Sequence, residues 1–225
     1  MLNAFNPHNI WLYAHILLFV YWLGADLGVL LLARAARRSD LSFAERVFAL
    51  KMAMQIDILP RLCFALMFPV GLQLMHSDGF AVVPVSLIAA SWLIALAWIV
   101  LIAAMLRSEG SPLATTLNRV HLVLQIAFGL GIGLLGLRAW HGSGPLPGGW
   151  LAAKVTLFAL IFALGIGIDV AFRPVGPAFV RLANEGSQPD IEATISTAVS
   201  RAIVVVLTLY ALLLLIAWIG VSKPF

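Results

Sequence analysis

The sequence predicts an all-α membrane protein: one integral domain over residues 1–225, folded as a bundle of six spanning helices. Two observations carry this. Of the 225 residues, 62% are hydrophobic and only 11% charged, and the mean hydropathy is +1.03. A soluble chain of this length has too little interior to hide that much apolar surface. The apolar residues are also gathered into runs of about 20, the length that crosses a bilayer core. The net charge of +4 comes from basic residues clustered between those runs. That pattern sets membrane topology and gives no reason to expect a nucleic-acid partner.

The six apolar segments fall at about 10–33, 56–75, 81–106, 120–140, 150–172 and 202–221. In the first, basic residues Arg34, Arg37 and Arg38 follow the apolar run, the reverse of a cleaved signal, so it is expected to remain as a helix. The second contains Pro60 and Pro69, which predict a kink. Two short soluble helices are expected besides. "SFAERVFALKMAMQ" opens with Ser42 and Glu45 at capping-box spacing. "PDIEATISTAVSR" starts on Pro189 with acidic residues and is expected to run into the sixth segment. "HGSGPLPGGW" at 141–150 reads as a turn-rich loop. GxxxG spacing at Gly24/Gly28 and Gly129/Gly133, with Gly165 and Gly167, marks candidate close helix contacts; a tight one around Gly24 and Gly28 would seal the site of Asp26.

Loop charges predict orientation. Arg34, Arg37, Arg38, Arg46 and Lys51 follow the first segment, Arg107 and Arg119 the third, and Arg173, Arg181 and Arg201 the fifth. The other side carries only Arg138, Lys154 and Lys223. By the positive-inside rule both termini lie outside the cytoplasm, in a bacterial-type inner membrane. Cys63 is the single cysteine, so this chain forms no internal disulfide.

Ionisable groups within a bilayer usually face the bundle interior. Here they fall into an outer set (His15, Gln73, His76, Asp78, Arg138, His141, Lys154) and an inner set (Asp26, Asp57, Arg61, His121, Gln125, Asp169, Arg173). His15, Trp22 and Asp26 share one face, since Trp22 and Asp26 fall within roughly 20° of His15 around a helix. Asp57/Arg61 and Asp169/Arg173 are spaced i, i+4 and read as intrahelical ion pairs. Asp26 has no partner on its own helix; Arg61 is its first candidate, a backbone carbonyl meeting a protonated Asp26 the alternative. His121 and Gln125 could form a separate inner site.

His15 and Lys154 lie at similar depth and could meet across the bundle. An imidazole can ligate a buried b-type haem, and haem propionates prefer cations, which Lys154 and Arg138 could supply. A hydrogen-bonded core histidine and a snorkelling lysine are the plainer alternatives. Met75 next to His76 is a donor pair suited to copper.

"HILLFVYWLGADLGVLLLAR" at 15–34 resembles the first helix of HemJ-type protoporphyrinogen oxidases and related CopD-like membrane proteins, in its histidine followed by a tryptophan and small residues. "GWLAAKVTLFAL" at 149–160 is similar to a second family motif, here Trp150, Lys154 and Leu157, and "PRLCFALMFPVGLQLM" at 60–75 is loosely similar to the second family helix. The chain departs from the pattern in its six segments where the family typically has four, in Ala152 where some members carry a histidine, and in lacking a late histidine, whose region holds Ile168 and Asp169. The resemblance implies haem b as cofactor, with His15 and Lys154 associated with haem binding and activity.

The function expected is a haem-b-binding redox protein or oxidoreductase, with a porphyrin-like or quinol substrate. His15 is the metal ligand; Trp22, Arg138 and Lys154 line the cofactor; Lys154 and Asp26 are the candidate catalytic residues. The competing functions are a transporter or copper-handling protein, with Asp26, Arg61, Asp169 and Arg173 as an inner gate, and a structural subunit. The expected partners are the lipid bilayer, a small porphyrin or quinone, and a second copy of the chain.

Overall fold

The computed structural model describes residues 6–77, 79, 82–108 and 110–224. It is helical, with no strand among the described residues. The helices are α1 (Pro7–Ala36), α2 (Phe43–Ser77), α3 (Val85–Arg107), α4 (Pro112–Trp140), α5 (Trp150–Phe172), α6 (Val175–Glu185) and α7 (Pro189–Ser222). Six of them are long and apolar enough to cross a membrane; α6 alone is too short, at 11 residues. Each of α1 to α4 packs on the next helix, α5 and α6 both pack on α7, and α1 meets α7, which closes the six long helices into a ring.

Local chemistry sets the helix ends. Asn6 caps α1 by accepting the His8 N–H at 3.2 Å, with Pro7 in the first turn. The capping box at α2 forms: the Ser42 N–H donates to Glu45 Oε2 at 2.8 Å, and the Glu45 N–H donates to Ser42 Oγ at 3.3 Å. The short helix expected after it is no separate element. α2 runs unbroken from Phe43 to Ser77, through the buried prolines Pro60 and Pro69. The second expected soluble helix does run into the last span, as α7.

α6 is an addition to the sequence reading. Val175, Ala178, Phe179 and Leu182 recur at helical spacing and are all buried. They pack against Ile191 and Ile195 of α7. Beneath them Arg46 is 2% exposed. It donates to Ala36 O at 2.9 Å and, through both terminal nitrogens, to Glu192 at 2.8 and 2.9 Å. This clamp ties α1, α2 and α7 together at the end of the bundle that holds the α1–α2, α3–α4 and α5–α7 connections, called here the basic end. The opposite, terminal end holds the loop 141–149, which folds back far enough to bury Leu146.

Aromatic rings fill the centre: Phe64 lies 4.5 Å from Phe162, and Trp98 and Phe128 pack around them. The glycines adjust the approach of the helices, in part at other positions than expected. A Cβ on Gly129 would stand 2.8 Å from Phe162 Cβ, and one on Gly136 would stand 2.8 Å from the Thr156 nitrogen, so α4 and α5 are in backbone-close contact. Gly24 has open space where its Cβ would be, and Gly28 meets only Ile56 at 3.8 Å. The tight contact expected around Asp26 therefore does not form.

Candidate functional site

Toward the terminal end, α1, α2, α5 and α7 separate around a cavity of about 740 Å³. His15 and Trp22 enter its wall from α1, Met67, Phe68 and Met75 from α2, and Trp150, Lys154 and Phe158 from α5. The shared face of His15 and Trp22 and the matching depth of His15 and Lys154 are thus realised in one space. Packing explains the geometry. Gly71 on α2 removes the side chain that would press on His15, whose Cε1 would stand 3.4 Å from a Cβ there. Gly220 on α7 leaves room for Lys154, whose Nζ would stand 2.6 Å from an added Cβ.

The polar atoms of this cavity are poorly provided for. His15 Nδ1 is buried without a hydrogen-bond partner. Lys154 faces a second cation, Lys223, whose ammonium lies 5.5 Å from the Trp150 ring centroid. The ionisable residues lining the cavity are His8, His15, Lys154 and Lys223, with no carboxylate among the described lining residues. Buried polar groups are normally hydrogen-bonded, and an orphan invites a ligand. The wall also opens sideways. Val20, 53% exposed, and Val221, 87% exposed, line it while facing outward from the bundle.

Other expected members lie elsewhere. Arg138 does not line the cavity; it is exposed and donates to Ser143 O at 3.0 Å within its own loop. Met75 and His76 diverge, as neighbours on a helix must: Met75 is buried in the cavity wall and His76 is exposed. Among the described residues no three His, Cys, Asp or Glu side chains converge on a metal position. Asp78 lies outside the described residues. His8 and Lys223 were missed, although His8 stands seven residues before His15, on the same helical stripe.

A second polar region lies toward the basic end. Arg61 donates to Asp57, forming the expected pair. Asp169 and Asp26 also lie within electrostatic reach of Arg61. Arg61 is thus a neighbour of Asp26, as expected, though its hydrogen bond goes to Asp57. Among the described ion pairs there is none between Asp169 and Arg173, both of which are exposed. The Tyr210 hydroxyl of α7 faces Asp26. It approaches closely enough to act on the carboxyl, without the geometry of a formed hydrogen bond. His121 is buried edge-on to Trp98, with ring centroids 5.7 Å apart. Gln125, one turn on, is 5% exposed, and its Oε1 has no partner. A smaller cavity of about 230 Å³ reaches Asp57 and Arg61 beside the α3–α4 connection, with Asn118 in its wall.

The outer cavity is large enough for a small-molecule cofactor. Its volume is within the range of cofactor pockets, ~300–1,000 Å³. Its wall is mainly aromatic and aliphatic, the buried His15 Nδ1 has no hydrogen-bond partner, and no carboxylate is among the described lining residues. Comparison with known proteins adds no relative: no protein-family model, no curated protein and no solved structure matches this chain.

Proposed function

We propose that this protein is a haem-b-binding redox protein of the membrane, an oxidoreductase acting on a porphyrin-like or quinol substrate. One observation carries the proposal. His15 and Lys154, from helices far apart in sequence, line the same large apolar cavity, which has no lining carboxylate among the described residues. In this reading His15 ligates the iron, and Trp22, Phe68 and Phe158 pack on the macrocycle. Lys154 faces the propionates; Arg138 does not line the cavity. Haem bound there would supply one-electron chemistry. The resemblance of segments 15–34 and 149–160 to HemJ-type proteins supports the same two residues. The arginine-rich connections support an orientation with both termini outside the cytoplasm of a bacterial-type inner membrane. Reporter fusions after Ser39 and after Ser143 are then expected on opposite sides, with Ser39 inside.

The test is the visible spectrum of the detergent-solubilised protein, expressed with ample haem and then titrated with it. A Soret band with reduced α and β bands is expected for the wild type. His15→Ala is expected to lose or alter it. Lys154→Ala is expected to bind haem ~10- to 100-fold more weakly, as when an outer partner of a ligand set is lost. His121→Ala, in the other polar region, is expected to leave the spectrum unchanged. A wild type that takes up no haem, or a normal spectrum in His15→Ala, overturns the proposal.

A further inference from the structure

We infer that Asp26 is a proton-binding site, loaded from the basic end of the bundle and positioned by Tyr210. The first support is placement. Asp26 follows Trp22 by one turn on α1, and Trp22 lines the outer cavity. Tyr210 precedes Leu213 by one turn on α7, and Leu213 also lines it. The two helices run in opposite directions, so both polar groups lie beneath the same cavity floor, about 4.5–6 Å from it along the helix axes. On the other side of Asp26 stand Asp57 and Arg61, which the smaller cavity reaches from the basic end.

The second support is charge. Asp26, Asp57 and Asp169 lie around the one guanidinium of Arg61, with Arg173 also within reach of Asp169. Three carboxylates against two guanidinium groups leave one negative charge uncompensated among helices in a bilayer. One bound proton removes it. The three carboxylates do not converge on a metal position, so a proton suits the site better than a divalent cation. Asp57 is committed to Arg61 by a hydrogen bond, and Asp169 is exposed and within electrostatic reach of two guanidinium groups. Asp26 accepts no hydrogen bond from either arginine.

The third support is Tyr210, 8% exposed, whose hydroxyl has no formed partner and faces Asp26. A hydroxyl can accept from a carboxylic acid and donate to a carboxylate, so Tyr210 serves both states of Asp26. From α2 Asp57 and Arg61 face Asp26, and from α7 Tyr210 does. In the loading step an O–H bond of hydronium at the basic end breaks, the Asp26 O–H bond forms, and water is left. Use of that proton by redox chemistry in the outer cavity rests on the haem proposal; the proton site itself does not.

The experiment is infrared spectroscopy of the full-length protein in lipid at neutral pH, in H2O and D2O. A carboxylic-acid C=O stretch is expected in the wild type, shifted in D2O. Asp26→Asn is expected to lose it, Asp26→Glu to keep it at a shifted frequency, and Tyr210→Phe to shift it. Asp40→Asn, at the exposed pair with Arg38, is expected to leave it unchanged. No such band at neutral pH, or an unchanged band in both Asp26 variants, overturns the inference. A band without haem uptake would fail the haem proposal alone, and haem uptake without the band would fail this one alone.

Discussion

The two polar regions of this bundle satisfy their charged groups in opposite ways. Around Arg61 the protein supplies its own counter-charges, in Asp57, Asp169 and Asp26. In the outer cavity the cations Lys154 and Lys223 face each other, and His15 Nδ1 is an orphan. Around Arg61 the charges are met largely by side chains of the protein itself, although Gln125 Oε1 and the Tyr210 hydroxyl have no formed partner and one carboxylate is in excess. The orphaned His15 Nδ1, beside a cavity of about 740 Å³, is where the proposed ligand would bind. The difference teaches where substitutions should strike: stability at the inner region, ligand affinity at the outer one.

The largest expected effect is at Arg61. Arg61→Met strips the guanidinium from three carboxylates and should destabilise the protein by ~1–2 kcal/mol. That lies between the values for an exposed and a buried ion pair, because the Arg61 side chain is 40% accessible. Thermal unfolding in detergent measures it, and an unchanged midpoint would show that the inner region is not self-completing. Next comes Gly220→Val, whose added side chain displaces the Lys154 ammonium. Haem affinity should fall ~10-fold, in line with loss of an outer partner. Stability should barely move, because the displaced group is the free end of a flexible chain. A large stability loss with intact affinity would reverse the comparison.

A smaller effect, of opposite sign, is expected at His15. Without ligand, His15→Leu removes a buried unpaired polar atom and should stabilise the protein by about 1 kcal/mol while abolishing haem uptake. Equal stability of the two proteins would mean that the orphaned imidazole costs nothing. The smallest effect belongs to the clamp at the basic end. There the Arg46 guanidinium holds the Glu192 carboxyl below the usual glutamate range. A depressed carboxyl contributes stability above its unfolded value, near ~4.3, and loses it as pH falls through the folded value. Unfolding should therefore become easier in acid below about pH 4, and Glu192→Gln should remove this part of the pH dependence. The same acid sensitivity in Glu192→Gln would assign it to other carboxylates.

Much of the outer site was legible because it depends on periodicity and depth. His15 and Trp22 share a stripe by helical geometry alone, and Lys154 sits at the depth of His15 because each lies a turn or so inside its own span. The inner site was half legible. Asp57 and Arg61 pair along one helix, a local interaction. Asp169 has the same spacing to Arg173, yet it is shared with Arg61 of another helix, which no i, i+4 rule can show. Tyr210 gave no signal, since a tyrosine in an apolar run reads as packing. α6 was legible in principle: Val175, Ala178, Phe179 and Leu182 fall on one face. It was overlooked because it is too short to cross a membrane.

By itself the sequence determined the all-α class, the six spanning segments and the gathering of basic residues at one end. Those follow from hydrophobicity and charge summed along the chain, which are local quantities. Only the tertiary structure decided which side chains meet. Arg138 turns away to Ser143, Met75 and His76 part, and Asp26 finds Tyr210. These outcomes depend on the rotation and tilt of each helix against its neighbours. Rotation and tilt are set by close contacts such as Gly129 on Phe162 and Gly136 on Thr156, between residues that are remote in sequence.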